Sequence, residues 1–419
     1  MAGRHARTHA RGLSARPPGP RRRSLPTPAA AHGTDIVNPP SSLLFSPARL
    51  GPLTLANRIA MAPMTRSRAT ADGTPTPLMA EYYAQRASAG LIVTEGVSIS
   101  AQGQGFLNVP GIFTDAHEAA WRPIVQRVHD AGSRVFMQLW HVGRIAHPDN
   151  MQAGEFPVAP SALAFDRTVV TPTGLQPPPV PRELSDEGVR AVIADYARAA
   201  RRAVDAGCDG VEIHAANGYL PGQFLHQSSN LRTDGWGGSI GGRARFLVET
   251  ARACCEAVGA DRVGVRLSPF SVFNGASSTD DAALHDHLLR ELAPLGLIYL
   301  HVVTAEVAGN QTVVREGGAD RPDVVGFARE RWPHGLIAAG GFDRDSAERE
   351  LAAGRADVIA FGRDFIGNPD LPERLRHGHP LVPRQPADWY GAGAEGYTDY
   401  PLWTAERAGL ANDTHKEAP

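Results

Sequence analysis

"SDEGVRAVIADYARAARRAVDAGCDGVEIHA" occupies residues 185–215 and carries two periods in succession. Over 185–206, Val189, Val192, Ile193, Tyr196, Ala200 and Val204 recur at helical spacing and form one apolar stripe. Ser185 suits an N-cap, acids crowd the first turn, and Gly207 supplies a stop. The period then changes. "GVEIHA" (210–215) is a short apolar, β-branched run of the kind buried on both faces of a parallel sheet. Helix then strand, joined by three residues, is half of a βαβ crossover.

Seven further runs share the strand pattern: "RIAMAPM" (58–64), "LIVTEGV" (91–97), "RVFMQLW" (134–140), "VGVRLSP" (263–269), "IYLHVV" (298–303), "LIAAGG" (336–341) and "DVIAFGR" (357–363). Helix-period segments at 115–131, 243–258, 281–293 and 344–353 lie between them. Eight strand-then-helix units predict an α/β fold of the (β/α)8 barrel type. A doubly wound sheet is the alternative, weakened because no GxGxxG follows the first strand. Residues 43–57 read as an N-terminal β-hairpin that caps the barrel bottom. The Pro-rich piece 145–184 reads as a long loop excursion after strand three, with "PPPVPREL" leaving no room for regular structure.

Composition agrees with a globular protein with a sizeable core: 419 residues, 42% hydrophobic and 21% charged, with 44 Gly and 34 Pro for many turns. No apolar run is long enough to cross a bilayer. Cys208, Cys254 and Cys255 form no CxxC pair and no cluster at metal spacing, so no metal site is expected and a reducing, cytoplasmic location is. Residues 1–34 hold seven arginines and no acid; removing them from the formal −2 leaves about −9 for the remainder. An acidic body speaks against nucleic acid as a partner. The expected organisation is a disordered basic extension over 1–40, a barrel domain over 41–404 and a flexible tail over 405–419. A tail or a misplaced start is favoured over a targeting segment for the extension.

In barrels of this type the active site collects at the C-terminal strand ends. Here those ends read Thr65 and Arg66; Glu95 and Gly96; Gln138, Trp140 and His141; His214, Asn217 and Tyr219; Arg266; Ala339, Gly340 and Gly341; Gly362 and Arg363. Glycines after strands seven and eight let backbone N–H groups approach an anion, and Arg363 adds a fork of donors, so a phosphorylated cofactor or substrate is expected. Turn-making glycines and an Arg363 paired with a surface acid are the bland alternative. His214 and Asn217 could donate together to one oxygen. Tyr219, with an ordinary pKa of about 10, carries a proton at neutral pH. Each of the three has a structural alternative: a strand-end histidine, a turn asparagine, a core tyrosine.

These residues sit in longer motifs: "MAPMTRSRA" (61–69), "PTPLMAEYYAQRASAGLIVTEG" (75–96), "QLWHVGR" (138–144), "VEIHAANGYL" (211–220), "FLHQSSNLRTDGWGGS" (224–239), "AFGRDFIGNPDL" (360–371) and "WYGAGAEGYTDYP" (389–401). Together, from about 43 to 403, they resemble the Old Yellow Enzyme family of FMN-dependent ene-reductases, in the branch of the N-ethylmaleimide and pentaerythritol-tetranitrate reductases. The resemblance implies FMN, bound non-covalently over the barrel mouth. Pro63, Met64 and Thr65 would lie along it, with Thr65 on the O4 side. Gly96 would let the ring approach, Gln138 and Arg266 would meet the pyrimidine edge, and Ala339, Gly340, Gly362 and Arg363 would hold the phosphate. His214 and Asn217 would grip the substrate oxygen, with Trp140, Tyr82 and Tyr390 as walls. NADPH or NADH would reduce the flavin; an electron-poor alkene would then take hydride at its β-carbon, and Tyr219 would protonate the α-carbon from the opposite face. A small-molecule substrate, no membrane, and a monomer or homodimer are expected. Gly241-Gly242-Arg243 depart from the family's usual "ENR", and Pro221 and Gly222 are unusual beside Tyr219. An FMN-dependent double-bond isomerase and a barrel that only binds a phosphate ligand are the rival functions.

Overall fold

The computed structural model describes residues 42–309, 311–313 and 322–404. The expected basic extension and C-terminal tail lie outside the described residues.

Eight parallel strands close into a barrel: β1 (Ile59–Met61), β2 (Leu91–Ser98), β3 (Arg134–Trp140), β4 (Gly210–His214), β5 (Val263–Leu267), β6 (Tyr299–Val303), β7 (Gly335–Ala339) and β8 (Val358–Phe361). Each neighbour follows in chain order, and β8 returns to β1 with Ile359 opposite Ile59. Helices follow every strand: α1 (Pro77–Gln85), α2 (Asp115–Asp130), α3 (Asp186–Asp205), α4 (Ile240–Val258), α5 (Asp281–Leu292), α6 (Val324–Arg329), α7 (Arg344–Ala352) and α8 (Leu371–His377). The Ser185 cap is real: its side chain accepts from the Gly188 N–H. Helix α4 begins at Ile240, earlier than its periodicity suggests, because Ser239 caps it through the Gly242 N–H. A Cβ at Gly242 would lie 2.2 Å from the Gly237 carbonyl oxygen, which accounts for glycine there, and Arg243 is buried against Asp280 at 2.6 Å.

The strands alternate two faces. Outward residues such as Val211, Ile213 and Val263 join the inner stripes of the helices, including Val189, Val192 and Tyr196. Inward residues Phe136, Tyr299, Ile337 and Val358 fill the lower barrel with Leu50 and Leu55 of the hairpin Ala48–Leu50/Leu53–Leu55. Leu50 packs at Gly335, the first residue of β7, so the hairpin caps the N-terminal end of the strands. Two glycines make room for the rings. A Cβ at Gly210 would meet the Phe136 ring at 2.4 Å, and one at Gly264 would meet the Tyr299 ring at 2.4 Å. Gly264→Ala should therefore destabilise the barrel by roughly 1–3 kcal/mol through overpacking, measured as a lower Tm; an unchanged Tm would contradict this packing.

The excursion after β3 is more ordered than its prolines suggest. Val158–Ala159 pairs with Arg182–Glu183, and Val169–Thr171 pairs with Gly174–Gln176. Thus "PPPVPREL" does end in a short strand, because Pro157 and Ala159 offer carbonyls to the Arg182 and Leu184 N–H groups.

Two histidines sealed in the fold set an acid limit. Burial draws His141 down to about 3, and burial together with neighbouring His285 draws His226 to about 4. Unfolding restores both to the ordinary value near 6.5. The unfolded chain then binds more protons than the folded one below that pH, so stability falls as pH falls. Stability should be level above about pH 6.5 and drop toward pH 4, by up to about 1.4 kcal/mol per pH unit for each ring. Calorimetry across pH 4.5–8 checks this; a Tm that rises on acidification would oppose it.

Candidate active site

The C-terminal strand ends surround a cavity of about 900 Å³. Two features of the backbone shape its floor. Between β2 and β3 the register slips between Val93 and Gly96. Such a bulge re-aims side chains. It sends Glu95 toward the α1 side, where its carboxylate accepts from the Arg66 N–H at 3.1 Å and the Tyr83 hydroxyl at 3.3 Å, and it leaves Gly96 on the cavity. The expected reason for Gly96 changes accordingly. A Cβ there would meet the Trp140 ring at 2.5 Å, so the glycine first admits Trp140.

The second feature is the turn after β4. Asn217 has φ 60° and Gly218 φ 73°. A left-handed asparagine persists only when its surroundings hold it. Here the Asn217 N–H donates to Ser268 Oγ at 2.9 Å, and its carbonyl accepts from Asn274 Nδ2 at 3.0 Å. Ser268 and Asn274 escaped the sequence reading: they lie 51 and 57 residues away, and nothing local marks them. Gln223 adds a third tie, donating to the Gly218 and Val142 carbonyls at 2.9 and 3.0 Å. Pro221 fits because it stands in the first turn of the short helix Leu220–Leu225, where its missing N–H costs nothing.

His214, Asn217 and Tyr219 all line the cavity. The Tyr219 ring stands edge-on to Trp140 at 4.9 Å and to His214 at 5.0 Å. Burial raises the Tyr219 phenol above its ordinary pKa, so it stays protonated at neutral pH. Burial, with the charge of Arg266, pushes His214 well below 6.5. Its imidazole is neutral and offers one N–H.

Pro63, Met64, Thr65, Gln138, Arg266, Ala339, Gly340, Gly362, Arg363 and Tyr390 line the same space. Tyr390 does so from the rim, 51% exposed. Gly340 (φ 131°) could take no side chain, since a Cβ would lie 2.1 Å from Thr304 Oγ1. Gly362 is different. Its nearest protein atom would be Met64 Sδ at 3.7 Å, so packing permits a Cβ and only the cavity needs the space. Arg363 donates to Thr312 Oγ1 at 2.9 Å. Arg384, absent from the sequence reading, joins that rim and holds Asp364 through two bonds of 2.7 and 3.0 Å.

Tyr82 requires a correction. It is fully buried away from the cavity, stacked on Tyr397 at 4.1 Å, with its hydroxyl accepting from Arg66 Nη1 at 3.0 Å. Two cations lie against its ring: Arg86 at 3.7 Å and Arg66 at 5.1 Å from the ring centre. The same Arg66 donates to the Trp389 and Gly396 carbonyls at 2.9 and 2.6 Å, pinning the segment that carries Tyr390. Phe106, Phe165, Phe273 and Trp389 supply the walls in its place.

Residues 43–381 match the model of the NADH:flavin oxidoreductase / NADH oxidase family. The chain belongs to the Old Yellow Enzyme family. It is 47% identical over 367 residues to the chanoclavine-I aldehyde reductase fgaOx3 of Penicillium roqueforti, covering 85% of this chain and 95% of that one. Morphinone reductase superposes with a TM-score of 0.80 at 44% identity, over 87% of this chain and 97% of that one. The Old Yellow Enzyme homologue from Zymomonas mobilis superposes with a TM-score of 0.82 at 41% identity, over 86% and 99%. The protein is an oxidoreductase of this family, with FMN as cofactor and a nicotinamide nucleotide as hydride donor.

The site of this family member fits that cofactor. Among the described residues, Arg266 Nε, His214 Nδ1 and Trp140 Nε1 are buried polar atoms with no protein partner. Arg266 and Gln138 rise from β5 and β3, while Gly340, Gly362 and Arg363 follow β7 and β8, with Arg384 tied to neighbouring Asp364, which suits a planar, polar-edged ring with an anionic tail. No helix of the described residues is long and apolar enough to cross a membrane.

Proposed function

We propose that this Old Yellow Enzyme reduces the C=C bond of α,β-unsaturated carbonyl compounds, nitroalkenes or maleimides, with NADPH or NADH as donor. The observation that carries the reading is the pairing of a protonated phenol with a neutral donor pair on one wall: Tyr219 5.0 Å from His214, ring to ring, with Asn217 held beside them in a left-handed turn. FMN, when bound, would supply the hydride-transfer chemistry, and Gln138, Arg266, Gly340, Gly362 and Arg363 are the residues that would hold it. The chain's residues do the rest. His214 and Asn217 donate to the carbonyl or nitro oxygen and stabilise the charge that develops there. Tyr219 delivers its proton to the α-carbon. Trp140, Phe106 and Phe165 form an apolar wall that keeps water from the reacting carbons.

The partners in this reading are a small electron-poor alkene and the nicotinamide nucleotide, acting on a barrel domain over 41–404 that works as a monomer or homodimer. A cytoplasmic setting accords with three unpaired cysteines. Turnover of 2-cyclohexenone with NADPH tests the function. One NADPH consumed per cyclohexanone formed is the expected result. A rearranged alkene without NADPH consumption would overturn it.

A further inference from the structure

A carboxylate is sealed inside the barrel one step below the cavity. Glu212 lies mid-strand on β4, fully buried, with Gln138 opposite it on β3 and Gly264 on β5. One oxygen accepts from Gln138 Nε2 at 2.7 Å. The other accepts from His301 Nδ1 at 2.8 Å and from the Tyr299 hydroxyl at 3.1 Å. Glu212, His301 and Tyr299 do not line the cavity, whereas Gln138 and Arg266 do. Burial alone would raise the Glu212 carboxyl, but His301, Arg266 and the Gln138 bond outweigh it and hold it below the ordinary range. It is an anion that can only accept. A buried charge is an expensive way to fill a core, and an apolar side chain of similar volume would serve stability as well or better.

The carboxylate has two consequences for the cavity. One N–H of the Gln138 amide is committed downward to Glu212, which orients the group so that Oε1 can act as an acceptor on the cavity side. The positive charge of Arg266, two residues above Gly264 in the register, faces a negative one beneath. We propose that Glu212 is a positioning residue of the flavin site: it fixes Gln138 as an acceptor for the flavin N3–H and offsets Arg266, so that reduced flavin is bound less tightly than Arg266 alone would bind it. The inference rests on FMN occupying this cavity with its pyrimidine edge at Gln138 and Arg266.

The test is the midpoint potential of FMN-loaded Glu212→Gln, titrated anaerobically against a reference dye. Removing the negative charge should shift the relative affinity at least tenfold toward reduced FMN, which is about 30 mV upward for a two-electron couple. A purely structural role would leave that ratio unchanged, and an unchanged ratio overturns the inference. Should the variant not fold, the wild-type holoenzyme decides. Loaded with 15N-labelled FMN, it should show an N3 proton protected from solvent exchange; an N3 proton exchanging as in free FMN overturns the assignment of Gln138. A wild-type protein that takes up no FMN removes the flavin reading itself, and this inference with it.

Discussion

Tyr219→Phe should slow alkene reduction by about 10²–10⁴-fold while leaving flavin reduction by NADPH near its wild-type rate. The ring contributes its edge contacts to Trp140 and His214, and phenylalanine keeps those. What is lost is the proton, which burial holds on the phenol through neutral pH. Only the alkene half of the cycle needs that proton, so stopped-flow measurement of the two half-reactions separates it from a packing effect. Equal loss in both halves would contradict the assignment. The residual rate should depend on buffer acids and on substrates that carry their own acidic group.

His214→Ala should cost about 10²–10³-fold in alkene turnover, the usual loss for one donor of an oxyanion pair. Because His214 is already neutral, the loss should be the same at pH 6.5 and pH 8.5. Binding of a simple phenol, whose oxygen would meet the same donors, should weaken in parallel. Asn217→Ala should resemble it, and the double variant should cost less than the sum, since the two donors act on one oxygen. A His214→Ala enzyme that binds phenol as tightly as wild type would contradict the placement of the oxygen.

The barrel was legible because its strands are buried on both faces and so read as uninterrupted apolar runs, and because α3 carries its own cap and stop within the chain. Helices α6 and α8 escaped notice because six and seven residues are too few to display a helical stripe, and α1 because its apolar residues, Leu78, Met79, Ala80, Tyr82, Tyr83 and Ala84, run around the helix instead of along one face. At the mouth, strand-end position sufficed for residues that point from a strand into the cavity, such as Gln138 and Arg266. The resemblance, not strand-end position, put Tyr82 on the pocket wall; a helical position there could face either the substrate or Arg66, and only the fold brings Arg66 and Tyr397 together with it. Gly96 lines the cavity, but the space it leaves goes first to Trp140, through a bulge that depends on pairing between two strands and so is not marked in either strand alone. Ser268, Asn274, Arg384 and Glu212 act through partners distant in sequence, and their roles became visible only in three dimensions.

In the proposed function this cavity runs a flavin cycle from nicotinamide to alkene. Its most direct test is the visible spectrum of the purified protein under anaerobic conditions, recorded before NADPH, after one equivalent of it, and after 2-cyclohexenone. A flavin band that bleaches with NADPH and returns with the enone is the expected result. A protein that shows no flavin band even after incubation with FMN, or one whose bleached flavin stays bleached in the presence of the enone, would contradict it.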